Sequence, residues 1–97
     1  MSDSIRRWGL IVEQNTGSGS ELTWFVSVLG HADGTREDAL AALRQRIAQF
    51  HAPHPHKIRS RALYQVTDGF LLVLDGRMRA YHYRFTIAGQ LPDAPPA

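Results

Sequence analysis

The chain has 97 residues, 43% of them hydrophobic and 21% charged, with a formal net charge of +2. These values describe one globular domain able to bury about three-fifths of its unfolded surface, and they exclude a wholly disordered chain. There is no cysteine, which removes disulfides and thiolate chemistry, and no run approaches the roughly 18 apolar residues of a membrane span.

Residues 5–14, IRRWGLIVEQ, read as a first strand. The apolar stretch after Arg6 and Arg7 is too short for a signal peptide and lacks a cleavage pattern, so a cytoplasmic location is expected. NTGSGSE, 15–21, is a polar turn. LTWFVSVLG, 22–30, is β-branched and aromatic, and predicts a second strand hairpinned to the first. Its apolar residues fall on both parities, which predicts burial on both faces.

One helix follows. Thr35 with Asp38 three residues on forms a variant of the capping box, and Glu37 and Asp38 place negative charge where the helix dipole favours it. Leu40, Leu43, Ile47 and Phe50 recur at steps of three and four, flanked by Ala39 and Ala42. Pro53 and Pro55 end the helix near His51.

Beyond the prolines, KIRSRALYQVT predicts a third strand over 57–67, FLLVL a fourth over 70–74, and RMRAYHYRFTI a fifth over 77–87. Asp68-Gly69 and Asp75-Gly76 separate them as hairpin signals. The expected fold is α+β: one helix packed on a five-stranded antiparallel sheet, in the order β-β-α-β-β-β. Residues 1–90 form the single domain and 91–97 a flexible C-terminal tail.

The register of the 75–76 turn decides which side chains the helix covers. A two-residue loop puts Tyr81, Tyr83 and Phe85 on the face of Lys57, Arg59 and Arg61; a three-residue loop with a glycine bulge puts them with Leu71 and Val73. The bulge is preferred, because it gathers Tyr64, Val66, Leu71, Val73, Tyr81, Tyr83, Phe85 and Ile87 under the helix. The other face then carries Leu63, Phe70, Leu72, Leu74, Met78 and Ala80, with Lys57, Arg59, Arg61, His82 and Arg84 further out. One helix cannot cover two faces, so this apolar patch is expected to pair with a second copy as a two-fold homodimer. The competing expectation is a strongly curled sheet that buries both faces within one chain.

Two further sites compete with self-association. Lys57, Arg59, Arg61 and Arg84 form a candidate anion-binding row. The charge balance and the lack of a recognised motif argue against nucleic acid, and basic residues also guard exposed edge strands. His51, His54 and His56 are a weak candidate metal site, since interleaved prolines give the rings no reason to converge. Catalysis finds no support. Ser27 and Ser60 lack a nucleophile-elbow pattern, Glu37 and Asp38 are explained by helix capping, and NTGSGSE lacks the lysine of a phosphate loop. No cofactor is expected.

The stretches HADGTREDALAALRQRIAQFH and YQVTDGFLLVLDGRMRAYHYRFTIAG resemble a small uncharacterised actinobacterial protein family. The resemblance implies a fold-sized unit in a bacterial cytoplasm and no particular chemistry. The expected role is a non-enzymatic protein-interaction or regulatory module, acting on itself or on an unidentified protein partner.

Overall fold

The computed structural model describes residues 6–16, 23–52, 57–76 and 79–92. Five strands, β1 (Arg6–Thr16), β2 (Thr23–Gly34), β3 (Ser60–Val66), β4 (Gly69–Asp75) and β5 (Ala80–Gly89), and one helix, α1 (Arg36–Ala48), follow in the expected chain order. All pairings are antiparallel and the spatial order is β2-β1-β5-β4-β3. The N-terminal hairpin and the C-terminal meander thus meet where β1 pairs with β5, and β2 and β3 are the edges. The principal extents, 46 × 34 × 20 Å, are those of a two-layer plate.

Helix α1 begins where Thr35 leaves extended backbone. The Thr35 hydroxyl accepts from the Asp38 N–H at 3.1 Å, and the Thr35 N–H donates to the Asp38 carboxylate at 2.9 Å, completing the capping box. These bonds favour the ionised carboxylate and hold the Asp38 pKa below the usual aspartate range, the backbone N–H of Thr35 contributing most. Gly34, just before the cap, has φ of 139°, and a Cβ there would stand 2.5 Å from the Asp38 carboxylate. Glycine is required at that corner.

The buried helix stripe is Ala39, Leu43 and Ile47, with Leu40, Ala42 and Phe50 packed beside it. Ala39 therefore sits at the centre of the contact rather than at its flank, and its small side chain lets the helix approach closely. Beneath it lie Leu10 and Val12 of β1, Phe70, Leu72 and Leu74 of β4, and Tyr83, Phe85 and Ile87 of β5. Phe50 meets Tyr83 and Phe85 edge to face, with centroids 5.4 and 5.1 Å away. The Trp8 indole N–H donates to the Gly34 carbonyl at 3.0 Å, tying β1 to the end of β2.

The strand boundaries shift from the expected ones. β2 continues through His31–Gly34, and β3 starts only at Ser60. The first C-terminal turn is Thr67-Asp68, since Val66 pairs with Gly69. Gly69 is thereby a strand residue, and its reason for being glycine is proximity: a Cβ there would fall 1.8 Å from the Phe85 carbonyl oxygen. Arg36 reaches across from the helix to the Thr67 carbonyl and to Asp68, the latter at 3.1 Å.

The second turn overturns the face assignment. Asp75 pairs with Ala80, so four residues, 76–79, connect β4 to β5. An even connection pairs odd positions with even ones: Phe70 opposes Phe85, Leu72 opposes Tyr83 and Leu74 opposes Tyr81. The helix therefore covers Phe70, Leu72 and Leu74, and leaves Tyr64, Val66, Leu71 and Val73 on the open side. The GFLLVLD sequence of β4 is apolar on both parities, so alternation within it could not choose between the two faces.

Candidate interaction surface

The uncovered face is built from alternate residues of all five strands. β2 supplies Trp24, Val26 and Val28, β1 supplies Ile11, β4 supplies Leu71 and Val73, and β3 supplies Ala62, Tyr64 and Val66. Trp24 is 53% exposed, Val26 60%, Val28 58% and Tyr64 55%, values that belong to an uncovered surface and not to a curled core. Ile11, Leu71 and Val73 are half-buried between their neighbours.

These side chains form two apolar flanks around a polar midline. Along β5 the open face shows His82, Arg84 and Thr86, and Glu13 of β1 stands directly opposite Arg84 in the ladder. At one end Arg7 and Asp33 pair at 3.1 Å, both exposed. An acid and a base side by side give the face no dominant sign.

Among the residues expected to form the self-association patch, only Ala80 lies on this open face. Phe70, Leu72 and Leu74 are core residues at 7%, 2% and 2% exposure, and Leu63 is packed against that core. Met78 lies outside the described residues. The expectation that β2 is buried on both faces is corrected too. As an edge strand it has a neighbour on one side only, and the helix reaches only its second half.

The basic row does not survive as one row. Arg59 and Arg61 belong to the parity of the helix-covered side, where Arg61 opposes Leu74, whereas Arg84 opposes Leu71 on the open side. Arg59 donates its backbone N–H to the Asp75 carbonyl at 2.7 Å, and Lys57 precedes it; both side chains are exposed. Arg61 stays exposed because α1 crosses β2, β1, β5 and β4 and stops short of β3. No family model, curated protein or solved structure matches this chain.

For the histidines, His51 is exposed beside Phe50 and Gln49 at the helix end, while His54 and His56 lie outside the described residues. Among the described residues, no group of three or more histidine, cysteine or acidic side chains is brought together. No helix is long and apolar enough to cross a membrane among the described residues. The carboxylates have structural partners: Asp38 caps the helix, Asp68 meets Arg36, and Asp75 accepts from the Ser60 hydroxyl at 3.0 Å.

What sequence reasoning missed is the joint role of Trp24, Val26 and Val28. The signal was present in the exclusively apolar and small side chains of that stretch, but read as deep burial. An edge strand with the same composition exposes it instead.

Proposed function

We propose that this protein is a non-enzymatic interaction module of the bacterial cytoplasm that self-associates as a two-fold dimer through the open face of its sheet. The observation that carries this reading is the concentration of exposed apolar side chains on one face: Trp24, Val26 and Val28 on one flank, Tyr64 and Val66 on the other. Contiguous apolar surface of this kind on a small domain marks an interface.

The pattern also fits itself. A two-fold axis near the sheet centre lays the β2 flank of one copy against the β3–β4 flank of the other. It brings Glu13 and Arg84 of one copy against Arg84 and Glu13 of its mate, so opposite charges meet.

The test is light scattering on the wild type and on Val73→Glu and Tyr64→Glu, both placed on the open face away from the core. The wild type should be associated, and each variant should lose half its mass while keeping its circular-dichroism spectrum. A wild-type monomer at the highest attainable concentration would sink the reading. The metal-site alternative predicts instead a zinc- or nickel-dependent thermal shift that vanishes with His51, His54 and His56. The anion alternative predicts salt-sensitive retention on a polyanion column, weakened by glutamine at Lys57, Arg59 and Arg61.

A further inference from the structure

The two edges of the sheet are guarded differently. β3 is short, seven residues, and carries Arg61 with Lys57 and Arg59 just before it. Cationic side chains at a strand edge oppose pairing with another strand. β2 is twelve residues long, and from Thr23 to Ala32 it contains no lysine, arginine, aspartate, glutamate or proline. Every usual device that blunts an edge by charge or proline is missing from it.

One device is present, and it covers only half of the strand. The ladder with β1 slips between Leu10 and Ile11, where β2 bulges at Leu29. The Arg46 guanidinium, in the last helical turn, donates to the Leu29 carbonyl and rests against Gly30. The helix thereby occupies the edge at the bulge. The segment before it, Thr23–Val28, keeps a regular ladder with β1 on one side and, among the described residues, has no strand on the other. Its sequence, TWFVSV, combines high β propensity with no charge.

We propose that Thr23–Val28 is a strand-pairing edge that docks antiparallel on the same segment of a second copy, joining two sheets into one of ten strands. The self-match is chemical as well as geometric. A two-fold axis through Val26 sets Trp24 of one copy opposite Val28 of the other on the open face, an aromatic and β-branched cross-strand pair. On the helix side it sets Phe25 opposite Ser27. No like charges meet, because the segment has none. The bulge and Arg46 limit the ladder to the part before Leu29, and a two-fold pair uses the same edge of both copies, so this contact by itself closes as a pair.

This contact does not depend on the face-to-face dimer. If both form, their two-fold axes do not intersect, and together they build an open assembly larger than a dimer.

The experiment uses the full chain. Phe25→Lys/Ser27→Lys places lysine opposite lysine across the proposed pair, on the helix side, and leaves the open face unaltered. Light scattering should show this double variant reduced to the face-packed dimer, and adding Val73→Glu should reduce it to the monomer. If face packing is absent, the wild type should be a dimer that only the lysine variant dissociates. Hydrogen exchange gives a second reading that needs no substitution. Backbone pairing should slow amide exchange within Trp24–Val28 at least tenfold as concentration rises through the association range, which face packing alone would not do. Exchange there that is independent of concentration, with a mass unchanged by the two lysines, overturns the proposal and leaves the edge to an extended peptide of another protein.

Discussion

Leu72 and Val73 are consecutive residues of β4, and they live in different environments. Leu72 is 2% exposed beneath the helix, opposite Leu63 and Tyr83. Val73 lies half-buried on the open face, opposite Ala62 and His82. Both faces of the strand are apolar, yet only one is covered, because the chain has one described helix to spend on two sides. The comparison teaches that an apolar strand reports two buried faces only when something exists to bury each. Here no described element of the chain supplies the second covering.

The sharpest way to break this comparison is to place the same carboxylate on each side. Leu72→Glu should abolish cooperative thermal unfolding, since truncation of such a core leucine alone costs about 2–5 kcal/mol and a buried charge adds to it. Val73→Glu should shift the stability of the isolated subunit by less than about 1 kcal/mol, read by urea denaturation at low concentration. Equal damage from both would mean that the open face is not open.

A smaller effect sharpens the contrast at Gly69. It belongs to the open-face parity and is nonetheless enclosed, because β4 and β5 run so close there that a Cβ would strike the Phe85 carbonyl. Gly69→Ala should cost roughly 2–4 kcal/mol by urea denaturation, more than a charge at Val73. Tolerance of alanine there would show that the two strands can separate at the turn.

The smallest expected effect concerns what holds the covered face shut. Thr35→Ala removes the helix cap and should cost about 1 kcal/mol. The Asp38 pKa is lowered in the folded state, so its contribution is fully present above the usual aspartate range. That contribution is lost as pH falls through the depressed folded value. Melting temperatures of wild type and Asp38→Asn should therefore converge on acidification below about pH 4, and a gap that persists at lower pH would deny the carboxylate that role.

Much of the fold was legible because local chemistry decided it. Thr35 and Asp38 announced the cap, and Leu43 and Ile47 announced the buried stripe, whereas the helix stops at Ala48, before the prolines that were read as its end. The faces of the C-terminal meander were not legible. They hang on the count of residues between Asp75 and Ala80, and a Gly-containing turn accommodates either parity. An apolar second face was foreseeable from one helix facing many strands, but its membership inverted with that single count. The edge position of β2 was hidden for another reason: pairing of β1 with β5 joins the two ends of the chain, and no local pattern records a partner so distant.

That pairing also orders events in time. Leu10 pairs with Ile87 and Val12 with Phe85, so the seam between β1 and β5 joins an early strand to one far later in the sequence. The β1–β2 hairpin and its helix leave the ribosome before the strand that completes their floor, because β5, the middle of the plate, follows them all in the chain. Contacts so far apart in sequence carry a large loop-closure cost and form late. Until β5 arrives, Leu43 and Ile47 lack Tyr83, Phe85 and Ile87 beneath them, and the growing chain cannot hide its own core before that strand is made.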